Sequence, residues 1–179
     1  NIKFTTIEPY RHNENRAEIS IRELKKRVRR IMQRRNIPVR LWCYVTEHVA
    51  WIMNLTASDL FRLGGRTPYE WMHGHTPDIS EYIEFDMYEP VWFFANEEPF
   101  PNDTKQLGRW LGVAHKVGQA MNYYIMKQNG EVIVRSTVSS VEADDIDTIS
   151  FKEKLSLLDE GIASKIGDHR NAIIDRDER

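Results

Sequence analysis

Glu18, Arg22 and Lys25 are the residues whose types and spacing come closest to a chemical site. They stand at i, i+4 and i+7, so a helix places all three on one face. A carboxylate and two cations in one row can hold a metal ion and the phosphates on either side of it. Phosphodiester chemistry of this kind uses two metal ions ~3.5–4 Å apart, bridged by several carboxylates. One carboxylate does not suffice. The plain alternative is an exposed Glu18–Arg22 pair, worth only ~0.3–0.5 kcal/mol. A pattern this short does not decide between the two.

The surrounding charge points to a polyanion. From Arg22 to Arg40 the basic residues are Arg22, Lys25, Lys26, Arg27, Arg29, Arg30, Arg34, Arg35 and Arg40, against Glu23 alone. So one-sided a run repels itself without a partner, and nucleic acid is the usual one. Arg22, Lys25, Lys26, Arg29 and Arg30 are the candidate DNA-binding residues. A solvated helix face is the bland reading of the same run. After Val141 the sign reverses, with Glu142, Asp144, Asp145 and Asp147 close together, so the net charge of -2 averages over unlike regions.

Other chemistry finds little support. His73-Gly74-His75 has no cysteine or carboxylate at ligand spacing and reads as a loop, and His12 and His48 are isolated. Cys43 is the single cysteine, so no disulfide forms within the chain, which fits a reducing, intracellular setting. No phosphate-binding loop or dinucleotide fingerprint is present. No apolar run approaches the ~18 residues a membrane span needs. The aromatics Trp92, Phe93, Phe94, Trp110, Tyr123 and Tyr124 are expected to pack a core rather than stack on bases.

The elements that must position these residues follow from periodicity. Residues 2–7 (IKFTTI) read as a strand, followed by a polar loop. Ala17, Ile21, Leu24, Val28 and Ile31 mark one face of a helix over 16–35. Pro38 separates it from a second helix, expected over 39–61 and stopped by Gly64-Gly65. Thr67-Pro68 opens a one-turn helix in a punctuated connector. Four strands are expected at 90–95, 107–114, 121–127 and 132–138, with Asn129-Gly130 as a hairpin turn. Gly108, Gly112 and Gly118 supply bends for a closed barrel. Phe151, Leu155, Leu158 and Ile162 give a weak helix in an acidic tail, and the end of the chain reads as solvated.

The order of these segments resembles one family. Pro9-Tyr10, a polar loop, then Asn15-Arg16-Ala17-Glu18 opening a basic helix resembles the end of a retroviral-type integrase core. Pro38, Leu41-Trp42 and Asn54 resemble the next helix of copia-type retrotransposon integrases. Thr67-Pro68-Tyr69-Glu70, Gly74 and Pro77-Asp78-Ile79-Ser80 resemble their connector. Phe85, Glu89-Pro90-Val91 and Gly108-Arg109-Trp110-Leu111-Gly112 resemble the strands that follow. The polar loop departs from the family pattern, which has Gln and Gly before the Glu and Arg after it: here Asn13, Glu14, Asn15 and Arg16 come before Glu18 and Ile19 after it, and the loss of Gly removes backbone freedom.

The resemblance implies an α+β chain in four parts. Residues 1–62 are the end of an RNase H-like core, one strand and two helices. A connector over 63–84, a small SH3-like β-barrel over 85–141 and a partly helical or disordered acidic tail over 142–179 follow. Glu18 becomes the last carboxylate of an Asp-Asp-Glu triad, a catalytic residue and a ligand of Mg²⁺ or Mn²⁺. Its two Asp partners belong to an upstream part, so no metal is expected on this piece alone. The intact protein processes 3′ ends and joins element DNA to a target, in the nucleus if the source is eukaryotic. Arg22 and Lys25 match basic residues that touch element-end DNA in retroviral relatives. A non-enzymatic DNA- or protein-binding module from a decayed or host-adopted element is the alternative. With most of the core sheet outside the chain, the apolar faces of the two helices must pack on each other, on the connector and on the barrel, or else stay exposed and favour self-association.

Overall fold

The computed structural model describes residues 16–57, 63–95, 104–118 and 121–167. The expected strand at 2–7 and the loop before Glu18 lie outside them. The architecture is α+β. Helices α1 (Arg16–Arg34), α2 (Trp42–Leu55), α3 (Pro68–His73) and α4 (Ser80–Ile83) precede five strands, and α5 (Ala143–Ile146) and α6 (Ile149–Ile166) close the described chain. No described helix is long and apolar enough to cross a membrane.

Helix α1 forms where expected. Leu24, Val28 and Ile31 pack against the core and Met32 is buried in it. Ile21, however, is 51% exposed, and Ala17 is exposed as well. Length explains this. Residues 35–41 form a short connection, which makes α1 and α2 antiparallel neighbours. At 1.5 Å per residue α1 is ~28 Å long and α2 ~21 Å, so the first turns of α1 overhang their partner.

The second helix is shorter than its sequence implied. Val39–Leu41 is a 3-10 turn after Pro38, and α2 stops at Leu55 rather than near Gly64. Thr56 ends it by turning extended, with its N–H and its hydroxyl both donating to the Ile52 carbonyl. Helix α3 follows the expected chemistry: Pro68 is its first residue, Thr67 Oγ1 accepts from Glu70 N–H at 2.9 Å, and Gly74 caps its end in the left-handed region.

The strands are β1 (Pro90–Phe94), β2 (Lys105–Val113), β3 (Tyr123–Met126), β4 (Val132–Arg135) and β5 (Val138–Ser140). All pair antiparallel in the order β4-β3-β2-β1-β5. The expected fourth strand is thus two strands, split at Ser136-Thr137. The expected closed barrel is an open sheet among the described residues, with β4 and β5 at its edges. It is nevertheless strongly curled. Flat, its edges would lie four strand spacings, ~19 Å, apart. The three Cα steps from Arg135 to Val138 reach only ~11 Å. Arg135 reinforces this curl, donating to the Phe94 and Val134 carbonyls. Gly112, at φ +119°, sits at the register shift between Trp110 and Val113 and takes a conformation that other residues rarely adopt.

Helix α6 belongs to the core rather than to a loose tail. Thr148 caps it, and Phe151, Leu158 and Ile162 are buried. The Arg109 guanidinium holds Asp159 of α6 through both carboxylate oxygens, at 2.8 and 2.6 Å, and also donates to the Tyr88 carbonyl. Glycine inside a helix costs ~1 kcal/mol relative to alanine, yet Gly161 has a packing reason. A Cβ there would stand 2.5 Å from Gln128 Cγ and 2.7 Å from the Gln128 carbonyl oxygen. Gly161→Ala is therefore expected to destabilise by ~1–3 kcal/mol, against the gain in helix propensity. Chemical denaturation checks the sign; a stabilised variant would mean that α6 does not dock here.

Candidate nucleic-acid interface

Helix α1 brings the expected residues together. Glu18 lies in its first turn, where a carboxylate complements the helix dipole. Arg22, Lys25, Lys26, Arg29 and Arg30 are all exposed. Glu18, Arg22, Lys25 and Arg29 run along one face at i, i+4, i+7 and i+11, a row ~16 Å long. Lys26 and Arg30 continue it toward the side opposite the core face of Leu24 and Val28. Arg27, Arg35 and Arg40 of the same run have partners within the chain. Arg27 pairs with Glu23 at 2.8 Å, holding that carboxyl below the usual carboxylate range. Arg35 pairs with Asp86, and Arg40 donates to the Ile166 carbonyl.

The metal part of the expectation is not assembled by the described residues. No group of three or more His, Cys, Asp or Glu side chains that could hold a metal ion occurs among them. Glu18 alone does not fit a divalent ion, whose bridging needs several carboxylates. The histidines are placed otherwise. His75 meets the Tyr69 hydroxyl at 3.5 Å and the His73 carbonyl at 3.2 Å, while His73 lies against the Tyr69 ring at 4.3 Å. His48 is buried beside Trp110. His12 lies outside the described residues.

Most aromatics of the sheet pack as expected. Phe93, Trp110 and Tyr123 are buried, whereas Phe94 is exposed and Trp92 half-buried. Trp92 lies in a feature not visible in the sequence, a groove of about 510 Å³ that also holds Lys105, Lys127 and Lys154. These lysines come from three separate elements, so no local charge run announces them. A second cavity of about 250 Å³ lies where Arg35, Tyr88, Arg109, Asp159 and Gly167 meet. Its two guanidinium groups are already paired with Asp86 and Asp159.

No family model matches the chain, and comparisons with curated proteins and with solved structures return no match. The arrangement on α1 can bind a phosphate backbone.

Proposed function

We propose that this chain is the C-terminal part of a copia-type retrotransposon integrase, in which α1 contacts DNA. One observation carries the reading: Glu18 opens a helix whose outward row is Arg22, Lys25, Lys26, Arg29 and Arg30. Phosphate contacts by such side chains dominate nucleic-acid affinity and fix position without reading sequence. In the intact protein Glu18 would join two Asp residues from the upstream part in holding Mg²⁺ or Mn²⁺, which supplies charge neutralisation at the phosphate. The curled five-stranded sheet, with β5 returning to β1, supports the SH3-like reading of 85–141. Integration would place the intact protein in the nucleus if its source is eukaryotic. A second reading is a non-enzymatic binding module, which needs only the cationic row of α1.

The test uses duplex DNA and two readouts. Five phosphate contacts at about 0.9 each predict a slope of about −4.5 for log affinity against log salt. A flat response removes nucleic acid as the partner of α1. In the intact protein, Glu18→Gln should abolish strand transfer while binding persists. Unchanged transfer removes Glu18 from the chemistry and leaves the binding module.

A further inference from the structure

The groove around Trp92 concentrates positive charge over an apolar floor. Trp92 comes from β1, Lys105 and Leu107 from β2, Lys127 from the turn after β3, and Lys154 and Leu157 from α6. Among the described residues no carboxylate lines it. The Lys105 and Lys154 ammonium groups stand over the Trp92 ring at 5.1 and 5.8 Å, and Phe151 meets that ring edge-on at 6.2 Å. Lys127 has Glu131 at 3.3 Å, outside the groove lining. Leu157 is 57% exposed, a large apolar side chain presented beside the cations. The groove therefore calls for an acidic partner with apolar side chains interspersed.

The same chain carries such a segment. Residues 142–149 hold Glu142, Asp144, Asp145 and Asp147 and no Lys or Arg. Within it Ile146 is exposed and Ile149 is 77% exposed. Asp147 meets Lys152 at 3.3 Å, and the other three acidic side chains are exposed. None of these residues lines the groove of its own chain. Both surfaces border the first half of α6, since Ile149 begins that helix and Lys154 lies five residues on, ~7.5 Å along the axis. Surfaces this close can both be engaged across one two-fold axis, which makes the contact closed rather than filament-forming.

We propose that two copies of this chain associate reciprocally, each seating its acidic 142–149 segment in the lysine–tryptophan groove of the other. Carboxylates meet the three ammonium groups, and Ile146 and Ile149 meet Leu157 and the Trp92 edge. Single-stranded nucleic acid fits the groove less well, because base stacking needs an open aromatic face. The Trp92 ring already has two ammonium groups over it.

Sedimentation of the full chain over a wide concentration range tests this. A dimer is expected, with a Kd that rises with salt. Lys105→Glu with Lys154→Glu should weaken it by about tenfold or more, and so should Asp144→Lys with Asp145→Lys. Mixing the two charge-reversed chains should restore a pair, because each then offers what the other lacks. Arg22→Glu with Lys25→Glu on α1 should leave the dimer intact. A monomer at every concentration overturns the proposal, as does a dimer indifferent to both reversals. Loss of the dimer in the α1 variant would place the acidic segment on α1 instead. Loss of DNA affinity in the groove variant, with its mass unchanged, would make the groove a nucleic-acid surface. The proposal stands apart from the integrase reading, whose tests are strand transfer and the salt slope of DNA binding.

Discussion

Trp110→Ala is expected to remove most of the chain's stability. Trp110 is 0% exposed in the middle of β2, against the rings of His48, Phe85 and Tyr123. It joins the helical layer to the sheet, because α2 and α4 both pack on β2. Truncating a buried Trp costs ~3–5 kcal/mol through lost transfer and the cavity left behind. A domain holds only ~5–15 kcal/mol in total. For a chain of this length the loss is a fall in Tm of roughly 6–20 °C. Trp110→Phe is the informative companion. It keeps much of the volume and deletes an indole N–H that has no hydrogen-bond partner. An unmade buried hydrogen bond costs ~1–3 kcal/mol, so Phe should cost clearly less than Ala. Thermal melts of both variants decide this. An Ala variant within ~1 kcal/mol of the parent would mean that helices and sheet are not joined through this residue.

Local chemistry was legible in the sequence, and long-range arrangement was not. The helix face of Leu24, Val28 and Ile31 could be read because helical periodicity is written into consecutive residues. The Thr67–Glu70 cap could be read because its partners are three residues apart. That cap also gives the Thr-Pro-Tyr-Glu motif a structural reason of its own, independent of any family. Gly108-Arg109-Trp110-Leu111-Gly112 is similar. At Gly108 a Cβ would come 2.5 Å from Ile125 Cγ2, so this glycine permits close approach rather than a bend. Arg109 reaches Asp159 fifty residues away, a pairing no local pattern announces. The docking of α6 was hidden for the same reason, since Phe151, Leu158 and Ile162 reveal a helix but not what it lies on. The split at Ser136-Thr137 was hidden because 132–138 is rich enough in β-branched residues to read as one strand. The row from Glu18 to Arg30 was legible because one helix carries all of it, and the lysine groove was not because three elements do.

Stability is expected to fall as pH drops from about 6.5 toward 4, through His48. This side chain is 7% exposed at the interface of α2 with the sheet, its ring 5.4 Å from Trp110 and 6.1 Å from Tyr82. Its Nδ1 has no hydrogen-bond partner among the described residues. Burial pushes its pKa down to about 4, and the Asp86 carboxylate opposes this only in part. In the unfolded chain the imidazole titrates near 6.5. Between those values the unfolded state binds a proton and the folded state does not, so stability rises with pH across the window. Above about 6.5 the contribution is fully present, and below about 4 it is lost. The span of about 2.5 units corresponds to at most ~3–4 kcal/mol. His115, stacked on Tyr82 and hydrogen-bonded to its hydroxyl, also has its pKa lowered by burial and adds to the slope with the same sign. The carboxyls held low by hydrogen bonds, Glu23, Asp78 and Glu131, begin to matter only as pH falls through the ordinary carboxylate range. Urea unfolding as a function of pH should therefore show the steepest loss between about 6 and 4. His48→Phe should flatten most of it whatever the variant's absolute stability, and His115→Phe only part. A parent chain with level stability across that window would mean that His48 takes up its proton without leaving the core.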